Sequence, residues 1–241
     1  MALTYSTFTT SLANFLVIPI TDANFQSAIP NIIDDAEQMT YRDLDLLNTV
    51  FRDSSVALVA GNRNFAEATN IDGNGPFLVT QDLNVITPSG QTNPDLGTRN
   101  PLLPATKEML DFLYPSATPA GIPTYFAPIN QNSFIVGPWP DAAYTVEVVG
   151  TVRPAPLSAT NTTTLLSTYF PDVFLNAALV FGAGYLKNFG AAQDDPQSGV
   201  TWAMLYDKAL KSAVTEEARK RFHAQGWSGF STGPEASPPR T

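Results

Sequence analysis

Carboxylates near the start of a predicted helix come closest to a catalytic set in this chain. Asp34, Asp35 and Glu37 stand within four positions of one another. One carboxyl could act as an acid and another as a base, as in glycosidases. Acidic residues in the first turns of a helix also stabilise the positive end of its dipole from a solvated face. This second interpretation is favoured, so we predict that the three residues are structural.

The other chemistry-bearing residues do not assemble an active site. The chain has one histidine, His223, and no cysteine, so disulfides and thiolate chemistry are excluded. A Ser-His-Asp triad would need His223, and no Gly-x-Ser-x-Gly elbow is present. Gly182-Ala183-Gly184 resembles part of a dinucleotide loop, but Lys187 stands where its third glycine belongs. We therefore predict no enzyme activity, cofactor or metal.

Composition indicates a globular protein that does not grip nucleic acid. The 241 residues are 44% hydrophobic and 15% charged, with a net charge of -9. Neutralising phosphates requires clustered Lys and Arg, which an acidic chain lacks. No Lys or Arg precedes Arg42, so a secretory signal is not expected. No segment reaches membrane-spanning length, and we expect a soluble protein without a membrane partner.

The stretch Phe170–Lys187 is predicted to be the helix around which the rest is organised. Pro171 suits the first helical position, and no charged residue occurs from Val173 to Leu186. A helix that is apolar on every face is typical of a core. Its small residues would allow close packing against another helix or another subunit, and we assign them as a subunit-packing set: Ala177, Ala178, Gly182, Ala183 and Gly184.

The order of patterns predicts an α+β fold, in which N- and C-terminal helices form a bundle with an inserted Pro-rich β domain. We expect helical segments at 1–50 and 158–222, the β insert at 51–157, and an extended, flexible tail at 223–241. The expected helices lie within Met1–Val17, from Pro30 to Asn48, at Ala105–Leu113 with Met109 and Leu113 inward, and at Val200–Phe222. The expected β elements are a hairpin around Gly61-Asn62 and strands at Phe77–Ile86 and Tyr144–Val152. A loop is expected at Ser89–Pro101.

The C-terminal tail carries two large aromatic residues, Trp227 and Phe230, among Gly, Ser and Pro. Aromatic side chains are common interface anchors, and a tail can order as it binds a partner. Alternatively, the two residues fold back onto their own domain.

Several segments, in order along nearly the whole chain, resemble the head-to-tail connector (adaptor) proteins of tailed double-stranded DNA bacteriophages. Short-tailed-phage tail-tube adaptors share parts of the pattern. The segments are Ile29-Pro30 with Ile33, Ala36-Glu37, Tyr41–Leu46, Gly137-Pro138-Trp139-Pro140, Tyr144–Gly150, Arg153–Ser158, Phe170-Pro171-Asp172, Asn188-Phe189-Gly190 and the helix holding Trp202 and Tyr206.

The resemblance implies a virion structural protein at the head–tail interface, assembled in the host cytoplasm. Such proteins form rings of identical subunits, usually twelve. The ring docks below the portal and above a tail, nozzle or stopper protein, and DNA passes through its lumen without specific binding. Because the C-terminal segment commonly docks on the portal, the resemblance places the portal interface at 226–241 and at Arg219, Lys220, Arg221, Trp227 and Phe230.

A different class of function stays open on the residues alone. The Pro-rich region carries aromatic side chains of the kind that bind sugars or protein receptors, so the protein could be a tail-associated receptor- or glycan-binding module. The residues behind this alternative are Tyr114, Tyr125, Phe126, Phe134 and Trp139.

Overall fold

A computed structural model describes residues 3–188 and 198–231. Side chains are described for residues 3–185 and 200–220. The chain combines helices and sheets, as the predicted α+β class requires. It divides into two compact units. The helical unit comprises Met1–Leu47 and Pro156–Thr241, and the β unit comprises Asn48–Ala155.

The helical unit packs its helices around one central helix, α5 (Pro171–Asn188). Its apolar residues Phe174, Ala177 and Ala178 are fully buried, and the Phe174 ring stacks on Phe8 with centroids 4.4 Å apart. The predicted core helix is therefore confirmed. Helices in contact with α5 are α1 (Tyr5–Leu16), α2 (Ala23–Asp43), α4 (Leu165–Tyr169) and α6 (Ser198–Ser231).

Across the described residues, no helix has both the length and the apolarity that crossing a bilayer requires.

Helix α2 begins earlier than the sequence pattern predicts. The Asp22 carboxylate accepts the Phe25 backbone N–H at 2.7 Å and caps the helix, so Pro30 lies inside α2 instead of opening it. An interior proline costs about 3 kcal/mol. Burial of Phe25 and Ile29 before the proline, and of Ile32 and Ile33 after it, offsets that cost. Helix α2 ends at Asp43, before the predicted end at Asn48. Leu47 therefore lies outside the helix and is partly exposed.

The β unit contains two four-stranded sheets. The first is antiparallel, in the order β1 (Val50–Ala57), β10 (Thr145–Val152), β3 (Phe77–Thr87) and β4 (Thr98–Pro101). The second has the order β2 (Asn64–Ala66), β8 (Ser133–Gly137), β7 (Tyr125–Asn130) and β5 (Leu103–Pro104). Strands β6 (Ala120–Gly121) and β9 (Trp139–Pro140) form a short parallel pair. Side chains of both four-stranded sheets share one core, which includes Val146, Val148, Phe65 and Phe134.

The β unit differs from three sequence expectations. A turn does form at Gly61-Asn62, where Gly61 has φ of 70°, but β1 and β2 join different sheets and make no hairpin. The predicted loop at Ser89–Pro101 contains the edge strand β4. In helix α3 (Lys107–Leu113), Leu110 is buried, and Met109 and Leu113 are exposed. Local periodicity does not reveal which face of so short a helix the sheet covers.

Helix α6 continues past Phe222, where the sequence pattern predicts its end. Its backbone is helical to Ser231, so residues 223–231 are not extended as predicted. Gly226 weakens a helix by about 1 kcal/mol but does not break it, and the residues around it permit helix. The rest of the predicted tail, residues 232–241, lies outside the described residues.

Candidate interaction surfaces

The three carboxylates of α2 do not form one site. Asp34 and Asp35 are exposed, whereas Glu37 is only 2% exposed. The Glu37 Oε1 atom accepts the backbone N–H of Leu157 at 3.0 Å, so it joins α2 to a segment 120 residues further along the chain. The expected solvated carboxylate face is therefore wrong for Glu37. In the described part of the chain, no group of three or more metal-ligating side chains is found.

Two further carboxylates of the helical unit join α6 to the end of α2 and to the residues that follow it. Asp43 accepts the hydroxyl of Tyr206 at 2.8 Å, and Glu217 accepts the backbone N–H of Leu47 at 3.1 Å. Burial raises the pKa of the Tyr206 hydroxyl, and its hydrogen bond to Asp43 raises it further. The two carboxylates also line an open cleft of about 220 Å³. Each carboxylate therefore links α6 to the segment from Asp43 to Leu47, at and just after the end of α2.

The residues assigned to portal binding are only partly described. Arg219 is exposed on α6. The Lys220 Nζ atom binds Glu217 at 2.6 Å and Glu216 at 3.2 Å, and lies 5.0 Å from the centre of the Phe170 ring. Its hydrogen bond to Glu217 raises the pKa of Lys220. The side chains of Arg221, Trp227 and Phe230 lie outside the described residues, although their backbone belongs to α6.

The small residues of α5 mostly pack inside their own chain. Ala177, Ala178, Gly182 and Ala183 are buried. A Cβ atom added to Gly182 would lie 2.6 Å from the Cδ1 atom of Leu16 on α1, so this glycine permits close contact between two helices of the same chain. Gly184 is exposed, and an added Cβ atom would meet nothing within 4 Å. Of the assigned set, Gly184 is thus the residue whose surface a neighbouring molecule can reach.

An apolar contact joins the end of α1 to the first turns of α6. The Phe15 ring contacts the Trp202 ring edge-on, with centroids 5.8 Å apart, and Val200 and Met204 are exposed on α6 nearby in sequence. Val17, which caps α1, is 89% exposed and has φ of 56°. A β-branched residue is strained in this left-handed region. We refer to Phe15, Val17 and Trp202 as the α1–α6 surface.

The β unit also exposes an apolar helix face. On α3, Phe112 is 83% exposed and lies between the exposed Met109 and Leu113. Asp111 on the same helix pairs with Lys107 at 2.7 Å and with Arg63, and these bonds lower the pKa of Asp111, with Lys107 as the larger cause. The sequence pattern does not reveal this surface, because it predicts that Met109 and Leu113 face the core.

The aromatic residues behind the receptor-binding alternative are not presented openly. Phe134 is buried, and Tyr114, Tyr125, Phe126 and Trp139 are half-buried. The Trp139 indole N–H donates to the Tyr114 carbonyl at 3.1 Å, and the Arg63 guanidinium lies 5.3 Å from the Trp139 ring centre. The contacts of Trp139 with Tyr114 and Arg63 stabilise the β unit.

An ionic network covers one face of the first sheet. Glu147 on β10 is buried and pairs with Arg99 at 2.9 Å and with Arg52 at 3.5 Å. Exposed Asp95 pairs with both guanidinium groups, at 3.0 Å for Arg52 and 2.6 Å for Arg99. Hydrogen bonds from Arg52 and then Arg99 lower the pKa of Asp95 to about 2. The network stabilises the sheet, and its charges are compensated within the unit.

Comparison with known proteins supports a structural adaptor role for the chain. No curated protein matches the chain with significance. The sequence model of the SU10 adaptor protein family matches residues 3–228. This match extends through both units, from before α1 into the C-terminal half of α6. The predicted membership in a phage adaptor family is confirmed: the chain belongs to the SU10 adaptor protein family.

Proposed function

We propose that the protein is a virion structural protein, the head-to-tail adaptor that forms a ring below the portal. The ring links capsid to tail and extends the DNA channel. The observation that carries this proposal is the family match over residues 3–228. Twelve identical subunits form the ring, with the portal protein above and a tail, nozzle or stopper protein below. Assembly takes place in the host cytoplasm, and the protein functions without catalysis, cofactor or metal.

In this proposal the helical bundle, interrupted by the Pro-rich β insert, supplies the contacts between subunits. A ring of identical subunits needs two different surfaces that meet around the circle. The α1–α6 surface suits one side of this contact because its residues are apolar and uncharged. Two copies of a chain with net charge -9 repel each other elsewhere. Val17 keeps a strained backbone and an exposed side chain, which a contact with a neighbour would explain.

Passage of DNA follows from the same charge balance. An acidic lumen repels phosphates, so the genome slides past without specific binding. The net charge of -9 supports this part of the proposal.

Portal docking is assigned to the C-terminal end of the chain. Arg219 on α6 is exposed and free to reach a partner surface, whereas Lys220 is held by Glu216 and Glu217. We propose that Arg219 and Arg221 contact the portal together with Trp227, Phe230 and residues 232–241. Aromatic and Arg side chains are the usual energetic centre of such interfaces.

Assembly with purified portal protein tests the proposal. The full chain and portal should form a stable ring complex, detected by light scattering and by electron microscopy. Two truncations separate the parts of the C-terminus. Removal of 232–241 alone leaves α6 complete, whereas removal of Gly226–Thr241 also shortens the helix by its last residues. We expect the longer truncation to abolish portal binding. Unchanged binding would remove the C-terminus from the proposal.

Two substitutions of different size at Gly184 test whether this residue packs against a neighbouring subunit. Because nothing lies within 4 Å of an added Cβ atom, Gly184→Leu should fold as well as the parent chain. If Gly184 faces a neighbouring subunit, the leucine blocks ring formation and Gly184→Ala weakens it less. Rings of normal size from Gly184→Leu would show that the subunit interface lies elsewhere.

A tail-associated receptor- or glycan-binding module is the competing function. Its aromatic residues are buried or half-buried, so the open face of α3 around Phe112 is the surface it would have to use. Binding of the full chain to host cells, lost in Phe112→Ala and kept in Phe15→Ala, would favour this function. Ring formation with the portal and no binding to cells would exclude it.

A further inference from the structure

Glu67 is a buried carboxylate of the β unit without a compensating charge. It follows strand β2 and is 4% exposed. The Thr80 hydroxyl donates to Oε1 at 2.6 Å, whereas Oε2 is buried and has no hydrogen-bond partner. An ionised carboxylate in such a place loses its hydration without replacement, which is costly. This carboxyl therefore needs either a positive partner or a proton.

The elements around Glu67 offer no positive partner in the part of the chain that the structure describes. The charged side chain that acts on it is Asp53 of β1, which is itself an acid. Strand β3 contributes Thr80, and its Asp82 is exposed. Strand β8 has no ionisable residue. Within the described residues, no Lys or Arg forms a salt bridge with Glu67.

A second buried acceptor without a donor belongs to Asn132, the residue whose backbone pairs with that of Glu67. The Glu67 backbone N–H donates to the Asn132 carbonyl at 2.9 Å. The Oδ1 atom of Asn132 is buried and, like Glu67 Oε2, has no hydrogen-bond partner. An ionised carboxylate is only an acceptor, but a protonated one carries an O–H donor. A proton on Glu67 would therefore turn its buried, unpartnered oxygen from an acceptor into a donor.

We propose that the folded β unit binds a proton at Glu67, so that this carboxyl is neutral and the unit responds to pH through it. Burial, and secondarily the charge of Asp53, raise the pKa of Glu67 above its ordinary value of 4.5. Because the folded chain holds this proton more tightly than the unfolded chain, its stabilising effect is complete below about pH 4.5. The effect is lost as pH rises through the folded pKa.

Carboxyl ¹³C NMR titration of the full chain tests the proposal directly. We expect the Glu67 carbon to titrate with a midpoint above 4.5, and Asp53→Asn to move that midpoint downward, because it removes the neighbouring negative charge. A Glu67 midpoint at or below 4.5 overturns the proposal. This measurement on the parent chain does not depend on whether any variant folds.

Denaturant unfolding at a series of pH values gives the second test. Glu67→Gln keeps the shape of the side chain without titrating, so the variant should lose the decline in stability that the parent shows above pH 4.5. Glu108→Gln, a change at an exposed position on α3, should keep that decline. A decline that persists in Glu67→Gln contradicts the proposal. A metal ion at the site would also contradict the proposal. In that case Ca²⁺ would raise the thermal midpoint of the parent chain but not that of Glu67→Gln.

Discussion

Two buried acids, Glu37 in the helical unit and Glu147 in the β unit, are compensated in different ways. In the helical unit, Glu37 accepts the Leu157 backbone N–H, and Glu217 accepts that of Leu47 and also pairs with Lys220. Each of the two bonds to a backbone N–H joins segments more than a hundred residues apart. In the β unit, Glu147 is covered by Arg52 and Arg99, whose side chains remain about half exposed. The helical unit is made of two distant parts of the chain, so directed hydrogen bonds help to hold those parts in register. The β unit is continuous and stabilises one face of its sheet with ion pairs.

This difference predicts that the two units respond differently to substitution, salt and pH. Removing a backbone-bonded acid leaves a buried N–H without an acceptor, and salt cannot screen that loss. Removing an acid from a half-exposed ion network leaves cations that water can reach, and salt does screen their interaction.

The largest effect should come from emptying the core of the helical unit. Tyr206 is 1% exposed and is among the largest fully buried side chains of the described chain. Tyr206→Ala should lower the free energy of unfolding by about 3–5 kcal/mol through loss of packing. Met204→Ala, at an exposed position two residues earlier, should change it by less than about 0.5 kcal/mol. Equal effects in urea unfolding would contradict the packing described for α6.

Glu37 tests the hydrogen bond that joins the two parts of the helical unit. Glu37→Met should lower the free energy of unfolding by about 1–3 kcal/mol, because the Leu157 N–H loses an acceptor. The loss should be the same at low and high salt. Asp35→Met on the exposed face of α2 is the matched control and should be nearly neutral. A neutral Glu37→Met would show that water or another group replaces this bond.

Glu147 supplies the corresponding test in the β unit. Glu147→Gln should lower the free energy of unfolding by about 1–2 kcal/mol, because two guanidinium groups lose their shared carboxylate. Here we expect the loss to shrink as salt is added, in contrast to Glu37→Met. A salt-independent loss at Glu147 would remove the distinction between the two units.

The glycines of α5 should differ by a smaller amount. Gly184→Ala should raise the free energy of unfolding by about 1 kcal/mol, since alanine favours helix and the space is open. Gly182→Ala should gain less, because the new methyl group would lie 2.6 Å from Leu16 Cδ1 and force that side chain to move. Thermal melts of the two variants compare them directly. A larger gain at Gly182 would contradict the close contact between α1 and α5.

The smallest effect concerns the acid side of the pH range. Asp95 should titrate near 2, and in Arg52→Gln with Arg99→Gln its midpoint should return toward its ordinary 3.8. Since its folded pKa is lowered, the stabilisation by Asp95 is present above pH 3.8 and is lost as pH falls through about 2. This is opposite in sign to Glu67. An Asp95 midpoint that is unchanged in the double variant would show that another interaction lowers it.

Sequence reasoning was most reliable where one pattern dominated a long segment. The uncharged run after Pro171 predicted a buried helix, and α5 is that helix. The alternation from Tyr144 to Val152 predicted the strand that became β10, which lies between β1 and β3. In both cases a single burial requirement acts along the whole element, so the pattern of apolar residues carries the information.

Errors arose where a residue's surroundings come from distant parts of the chain. Pro30 looked like a helix start because its local cost is high, but packing of Phe25 and Ile29 offsets that cost. Glu37 looked solvated because its helix places other acids in water, and its partner is at Leu157. The turn at Gly61 was recognised, but turn chemistry does not determine which strand each side will pair with.

From the amino-acid order alone came the helical and extended segments, the acidic balance and the family. These properties depend on local periodicity, composition and motif order, which are all present in one dimension. Tertiary structure alone decided that Gly182 meets Leu16, that Gly184 is open, and that Glu67 is buried beside Asp53. The physical reason is that burial and electrostatic environment are properties of neighbours in space, and folding chooses those neighbours from anywhere along the chain.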